Sequence, residues 1–192
     1  FILIKNRQRS VNWLVYDKKN GANKFLYLNV TDAIGDDSGH FNDTEPTTSV
    51  FSVGGADGTN YSGENLIAYC FAEKQGYSKF GVYTGNNVVD GAFVYTGFKP
   101  AFVMVKLIDT QTDGWVIQDN KRDISNTGTS TRFRANTNAA EFTSTNEIDL
   151  LSNGFKCRGD DGEFNGDGFS YIYMAFAESP FVTSTEVPAT AR

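Results

Sequence analysis

Two carboxylates separated by one residue, Glu147 and Asp149, are the strongest candidates for catalysis in this sequence. On a β-strand this spacing points both side chains to one face, as in glycoside hydrolases that use carboxylates as nucleophile and as acid/base. A further carboxylate is needed two or three residues later to protonate the leaving oxygen, but Leu151 and Ser152 occupy those positions. The pattern favours a turn that enters a strand, and we predict no catalytic residues and no enzymatic activity.

Groups for metal binding or nucleophilic catalysis are also scarce. His40 is the single histidine, so a Ser-His-Asp or Cys-His arrangement, or a multi-histidine metal site, would depend on that one residue. The acid pairs at 36–37 and 160–161, the latter with Asp167, could line a calcium site because hard oxygen donors in Gly-rich loops suit that ion. Neither group has the regular donor spacing of a calcium-binding loop, and we predict no metal and no cofactor.

Three aromatic residues lie in polar loops of the sequence, namely Phe41, Tyr61 and Phe164. Each is surrounded by Gly, Asn, Thr and acidic residues. This composition is typical of loops that bind carbohydrate or protein, because a ring stacks on a sugar while amides and carboxylates bond its hydroxyls. Together with Asp36 and Asp37 they form the predicted ligand-binding set. The alternative, that each ring anchors its own loop, is at least as well supported by the sequence.

The composition indicates the scaffold that must position these residues. The 192 residues include 16 Phe, 9 Tyr and 19 Gly, and aromatic and β-branched runs alternate with Gly, Asn and Asp clusters, which is typical of all-β proteins. The net charge of −6 argues against binding to nucleic acid. No apolar run reaches the roughly 20 residues of a membrane helix. We predict an antiparallel β-sandwich without membrane insertion, in which Cys70 and Cys157 are small buried thiols.

Short apolar segments predict twelve strands, a spacing typical of a sandwich or barrel. They are Phe1–Lys5, Asn12–Asp17, Lys24–Asn29, Val50–Val53, Asn65–Ala72, Lys79–Tyr83, Ala92–Thr96, Phe102–Leu107, Trp115–Gln118, Thr131–Ala135, Gly154–Arg158 and Ser170–Ala177. Residues 31–48 are predicted to be a long polar loop, and residues 182–192 a weakly ordered polar tail. The Asp-Gly pairs at 57–58 and 161–162 are predicted turns.

An internal repeat divides the chain. Four blocks recur in the same order: FILIK at 1–5 with FVMVK at 102–106, WLVYD at 13–17 with WVIQD at 115–119, Phe51 and DG at 57–58 with Phe155 and DG at 161–162, and FAE at 71–73 with FAE at 176–178. The offset grows from 101 to 105, which places the insertions in loops, where length changes are tolerated. The pattern predicts two tandem β-units in which Trp13 and Trp115 are equivalent core anchors.

The predicted domains are 1–75 for the first sandwich repeat, 76–181 for the second and 182–192 for the tail. The second repeat opens with residues 76–100, which predict two further strands and have no counterpart in the first. The first repeat is therefore predicted to lack its opening strands, which are either removed or borrowed from elsewhere, such as a neighbouring subunit. Its unpaired strand and the polar tail are candidate assembly contacts, because edge strands pair readily with another chain.

The second repeat also resembles a known family. The segments that carry the resemblance are YTGN at 83–86, GFKP at 97–100, FVMVK at 102–106, DNKR at 119–122, NGF at 153–155 and YIYMAFAESPF at 171–181. They are similar to a repeated concanavalin-A-like (jelly-roll) domain found in tail-fibre-like and other virion structural proteins of tailed, especially marine, bacteriophages. The resemblance covers residues 76–181 well and 1–75 in degraded form. It implies a jelly-roll fold and a virion building or adhesion module rather than a reaction.

We therefore predict a non-enzymatic virion structural protein located at the surface of the capsid or tail. Its predicted partners are other virion proteins, further copies of itself and a host cell-surface glycan. Three hypotheses stay open: a lectin-like fibre or surface decoration, a purely structural capsid or tail component, and a polysaccharide-degrading jelly-roll enzyme. Exposed aromatics with convergent polar groups would favour the first. Strands buried by neighbouring copies would favour the second, and carboxylates facing each other at roughly 5–10 Å the third.

Overall fold

A computed structural model describes residues 1–110, 113–122, 126, 128–145 and 147–180. The described chain is all-β with several antiparallel sheets, and no helix in it is long and apolar enough to span a membrane. It separates into two compact units, one consisting mainly of Phe1–Phe71 and the other of Ala72–Asp109 with the residues from Asp113 onward. The prediction of an antiparallel β-sandwich is confirmed, whereas the jelly-roll topology and the duplication stay predictions.

The first unit is built on one five-stranded antiparallel sheet. Its strands are β1 (Ile2–Asn6), β2 (Leu14–Tyr16), β3 (Lys24–Tyr27), β4 (Gly35–Asp36) and β5 (Leu66–Cys70). Their order is β4-β3-β2-β1-β5, so β5 is an edge strand. Because side chains alternate along a strand, Ile2 and Ile4 of β1 are buried while Leu3 and Lys5 are half-buried.

Loops cover the apolar face of this sheet. Ile2 and Ile4 form a core with Phe41, which ends the one-turn helix α1 (Ser38–Phe41). A second one-turn helix, α2 (Asp57–Asn60), precedes β5. The described residues of this unit form no second sheet.

The second unit contains two antiparallel sheets. Its strands are β6 (Ser78–Thr84), β7 (Phe93–Tyr95), β8 (Pro100–Leu107), β9 (Trp115–Asp119), β10 (Ser130–Arg134), β11 (Phe142–Ser144), β12 (Glu147–Leu151), β13 (Gly154–Arg158) and β14 (Ser170–Ala177), with the one-turn helix α3 (Gly162–Asn165) before the last strand. The larger sheet has the order β11-β10-β9-β8-β14-β6 and the smaller one the order β12-β13-β7.

Side chains from both sheets meet in the core of the second unit. The larger sheet contributes Val103, Val105 and Tyr173, and the smaller sheet contributes Ile148 and Phe155, all of them buried. This unit is therefore a two-layer sandwich, and the alternation of side chains gives each sheet a second, outer face.

Five strands of the two units agree in order, and three of them also agree in register. The order β4-β3-β2-β1-β5 corresponds to β11-β10-β9-β8-β14. Ile4 lies opposite Ala68 in the first unit, and the residues that the repeat aligns with them, Val105 and Tyr173, lie opposite each other in the second. The pairing of β1 with β2 matches that of β8 with β9 in the same way. This agreement supports the predicted duplication.

The structure differs from the predicted strands in several places. Val50–Val53 is not a strand, because Phe51 and Val53 reach the core of the first unit from an irregular loop. The predicted loop at 31–48 contains β4 and α1. Strands β11 and β12 are not predicted, and the turn predicted around Glu147 and Asp149 is wrong, because residues 147–151 pair with β13 as strand β12.

The two Asp-Gly pairs, which are predicted turns, lie at the start of one-turn helices. Asp161 is the N-cap of α3, where its side chain accepts a hydrogen bond from the backbone N–H of Glu163 at 3.0 Å. The N-cap of α2 is Ala56, so the helices align Asp161 with Ala56 rather than with Asp57. The predicted match between the two Asp-Gly pairs is thus displaced by one residue. The predicted tail at 182–192 lies outside the described residues.

Candidate functional site

Two of the predicted ligand-binding residues lie in the core. Phe41 is 1% exposed and packs edge-to-face on Tyr16, with ring centroids 5.3 Å apart. Phe164 is 0% exposed, and the guanidinium of Arg132 lies 4.9 Å from its ring centroid. A ring buried to this extent offers no face to a sugar, so the structure gives both residues a packing role.

Tyr61 is 39% exposed and lies against a cluster of charged and polar side chains. The guanidinium of Arg9 lies 3.6 Å from the Tyr61 ring centroid and pairs with Glu64 at 3.0 Å. Asn6 donates a hydrogen bond to the same carboxylate at 2.5 Å. The hydrogen bonds from Arg9 and Asn6 lower the pKa of Glu64. The charged groups of the cluster are therefore paired with one another. The part of the Tyr61 ring that Arg9 does not cover is exposed at the surface.

Asp36 and Asp37 have local contacts that stabilise the loop of the first unit. Asp36 pairs with Lys24 across β3 and β4, at 2.7 Å. Asp37 is the N-cap of α1 and accepts a hydrogen bond from the N–H of Gly39 at 2.8 Å. Burial lowers the pKa of the neighbouring His40. Within the described ranges, no group of three or more His, Cys, Asp or Glu residues could hold a metal ion.

The carboxylate that the sequence offers for catalysis is held by an arginine. Asp149 is 6% exposed and accepts a hydrogen bond from Nε of Arg158 at 2.6 Å. Glu147 begins β12, and its side chain lies outside the described part of the chain. The geometry thus gives Asp149 the role of an ion-pair partner within the small sheet.

The cysteines and the tryptophans differ between the units. Cys157 is buried as predicted, but the prediction is wrong for Cys70, which is exposed because β5 is an edge strand. Burial raises the pKa of the Cys157 thiol to about 12. Trp115 is 1% exposed, whereas Trp13 is half-buried and stacks on Tyr69 with a centroid distance of 6.4 Å.

The most exposed aromatic side chains described in the second unit lie on the outer face of its small sheet. In β7, Phe93 is 48% and Tyr95 is 64% exposed, while Val94 between them is 6% exposed and faces the core. Residues two apart on a strand are about 7 Å apart on one face, so both rings can contact one extended ligand. Gly154 lies opposite Tyr95, and a Cβ there would collide with the backbone carbonyl of Val94 and would also lie 3.2 Å from the Phe93 ring. The glycine thus permits the close approach of the β7 backbone that carries both rings.

Paired charges border these two rings. Asp90 pairs with Lys156 at 2.7 Å and with Arg158 at 2.6 Å, and Arg158 also pairs with Asp149. Lys156 lies directly opposite Phe93. The contacts with Lys156 and Arg158 lower the pKa of Asp90. We call Phe93, Tyr95 and this polar border the aromatic face, and its combination of rings, donors and acceptors suits a carbohydrate ligand.

A buried asparagine holds the loop that carries Asp90. Asn165, the last residue of α3, is 0% exposed. Its side chain accepts a hydrogen bond from the N–H of Asn86 at 3.1 Å and donates to the carbonyls of Val88 at 3.0 Å and Gly159 at 2.7 Å. Because one side chain satisfies three backbone groups, it fixes the loop beside β13 and thereby positions Asp90.

The sequence pattern predicts β7 as a strand but does not reveal the aromatic face. All three of its residues are apolar, so alternation alone does not tell which side faces the core. Phe93 and Tyr95 are two residues apart and therefore share a face of the strand. The signal that distinguishes this face is the size of their rings compared with Val94 between them.

These observations define an all-β protein whose second unit is a sandwich with an exposed aromatic face. A family described as a domain of unknown function (DUF7483) matches residues 1–180, and the chain belongs to this family. The match runs through both units. Searches of the curated proteins and of the solved structures gave no match.

Proposed function

We propose that this protein is a non-enzymatic structural protein of a tailed-phage virion, exposed on the particle, and that its aromatic face attaches it to a host-surface carbohydrate. The observation that carries the binding proposal is the exposure of Phe93 and Tyr95 beside the ion pairs of Asp90. The virion context is supported by the sequence resemblance. A lectin-like role is favoured over a surface decoration without a ligand, because exposed apolar rings are costly to leave in water.

The fixed rings and the charges of the aromatic face also indicate which class of ligand it would bind. The sheet already holds both rings in place, so binding would cost little conformational entropy. The border contains two cations, Lys156 and Arg158, and two carboxylates, Asp90 and Asp149, and so carries no excess charge. This balance favours a neutral polysaccharide whose hydroxyls can both donate and accept hydrogen bonds.

The test is a glycan array that carries bacterial surface polysaccharides, followed by calorimetry on the sugars that bind. The double variant Phe93→Ala/Tyr95→Ala should lower the affinity by about tenfold or more, while Tyr95→Phe retains the stacking ring and most of the binding. Tyr69→Ala, which removes a tyrosine that is 44% exposed in the first unit, is the matched control and should leave binding unchanged. Absence of glycan binding, or equal binding by the double variant, would contradict the proposal.

A purely structural role in the capsid or tail is the second candidate, and the exposed edge of β5 favours it.

The absence of enzymatic activity, which is part of the proposal, has its own test. Incubation with β-glucans should release no reducing ends above background. Release that is lost in Glu147→Gln would overturn it and support the enzyme hypothesis.

A further inference from the structure

We infer that the outer edge of β5 is a docking site for one extended strand with the chemistry of β6, which adds antiparallel to the sheet of the first unit. The site lies away from the aromatic face in sequence and in chemistry, and the inference is independent of carbohydrate binding. It rests on the pairing already established in this chain between β6 and β14.

The backbone groups at the outer edge of β5 are identified by its pairing with β1. Phe1 and Phe71 exchange two backbone hydrogen bonds, at 2.8 and 3.1 Å. Because bonded positions alternate in an antiparallel ladder, the N–H and C=O groups of Leu66, Ala68 and Cys70 point away from β1. No strand of the described chain pairs with this side.

The equivalent edge in the second unit is covered along its whole length. Strand β6 pairs with β14 over seven residues, with Tyr173 opposite Gly81 and Ala175 opposite Lys79. Tyr173 is 5% and Ala175 is 0% exposed, because β6 flanks them and the small sheet packs over them in the core. The corresponding positions of β5, which are Ala68 and Cys70, are both exposed, so the first unit presents the edge that β6 covers in the second.

The chemistry of β5 also favours pairing. The strand contains no charged residue, proline or bulge, which are the features that usually prevent edge pairing. Ile67 is 36% and Tyr69 is 44% exposed, so an occupant would also bury apolar surface. An uncharged edge suits a strand with little charge, and Lys79 is the single charged residue of β6.

The opposing side chains indicate how the occupant differs from β6. A Cβ at Gly81 would lie 2.7 Å from the Tyr173 ring, so glycine is needed in β6 itself. The counterpart of Tyr173 in β5 is the much smaller Ala68. The occupant of β5 should therefore carry a larger apolar side chain at the position of Gly81, because the cross-strand pair is the unit of packing in a sheet.

The experiment titrates a fluorescent peptide with the sequence of residues 76–85 into the 192-residue protein and follows its anisotropy. We expect saturable binding, several-fold tighter binding of the Gly81→Leu peptide, and no binding of a Gly81→Pro peptide, which lacks a ladder N–H. Ala68→Pro in the protein removes an outward N–H without breaking a bond to β1, and should weaken binding by about tenfold or more. Tyr95→Ala, on the aromatic face, is the control and should bind normally.

A second readout avoids dependence on the folding of the proline variant. Cys70 is exposed and Cys157 is buried, so alkylation of the native protein reports on Cys70, and bound peptide should slow that reaction. The inference would be overturned if none of the peptides bound. It would also be overturned if the peptides bound the Ala68→Pro variant equally well and did not slow the alkylation of Cys70. Self-association that Ala68→Pro abolishes would assign the edge to a second copy of β5 and overturn the proposed occupant.

Discussion

The two units share five strands in one order, three of them in the same register, yet among the described residues only the second covers its sheet with another sheet. In the second unit, β6 extends the large sheet beyond β14, and β7 joins the small sheet that covers the core. In the first unit, β5 is an exposed edge and loops cover the apolar face. Both added strands come from residues 76–100, whereas β12 and β13 of the small sheet come from later in the second unit. The strand order is therefore common to both units, whereas a covering sheet is described in the second unit alone.

The same contrast appears in two asparagines that end equivalent helices. Asn165 at the end of α3 is fully buried and bonds the loop between β6 and β7. Asn60 at the end of α2 is exposed. The same residue type at the same place has different contacts, because Asn165 bonds the loop between β6 and β7 whereas Asn60 faces solvent.

The largest expected effect comes from the helix positions that face the two cores. Phe164→Ala should lower the free energy of unfolding by about 4 kcal/mol, because it empties a fully buried site in the sandwich core. Its counterpart Thr59 is 5% exposed and donates a hydrogen bond to the carbonyl of Ala56 at 3.1 Å. Thr59→Ala should cost only about 1 kcal/mol. Urea denaturation measures both, and equal losses would show that the two helices face equivalent cores.

The next largest effect is a difference in the free energy of unfolding between variants of Asn165 and Asn60. Asn165→Ala leaves three backbone groups without their partner and should destabilise the second unit by about 3 kcal/mol. Asn60→Ala changes an exposed side chain and should cost less than about 0.5 kcal/mol. Denaturation curves compare the pair directly. A large loss in Asn60→Ala would contradict the distinction drawn between the two loops.

The smallest effect is a pH dependence of opposite sign in the two units. Burial raises the pKa of Glu163 above its ordinary value of 4.5, although Arg134 opposes the shift. The folded protein therefore binds this proton more readily than the unfolded chain, and stability falls as pH rises from 4.5 through the raised pKa. Glu163→Gln should remove that decline, seen as a flatter dependence of the melting temperature on pH.

Glu64 in the first unit should behave in the opposite way. Its pKa is lowered by hydrogen bonds from Arg9 and Asn6, so its contribution is present above pH 4.5 and is lost as pH falls through the lowered pKa. Glu64→Gln should remove the loss on the acidic side, and above pH 4.5 it should lower the melting temperature without changing its slope with pH. The same slope in both variants would contradict the assignment of the two carboxylates to different environments.

The sequence predicts those strands that carry a strong apolar pattern between turn residues. Gly154–Arg158 and Ser170–Ala177 are predicted with the bounds that the structure gives. Val50–Val53 has the same local pattern but has no neighbour with which to form a ladder, so its apolar residues pack from a loop. Residues 147–151 show the converse, because the sequence analysis favours a turn there while the structure pairs them with β13 as strand β12.

The candidate site is harder to predict from the sequence than these strands are. Phe41 and Phe164 lie in polar segments, but one-turn helices direct both rings into the cores, and that direction depends on tertiary packing. Phe93 and Tyr95 lie in an apolar segment, yet their face of the small sheet has no covering layer in the described chain, as their exposure shows. In both cases the local composition predicts the wrong burial, because a ring is buried or exposed according to the layer that packs against it.

The difference between the two sheet edges is tested most directly by amide hydrogen exchange of the full chain. The N–H groups of Ala68 and Cys70 should exchange at least roughly a hundredfold faster than those of Tyr173 and Ala175, which bond to β6. The N–H of Tyr69, which faces β1, should be protected despite the exposure of its side chain. Equal protection of all four edge amides would contradict the exposed edge of the first unit.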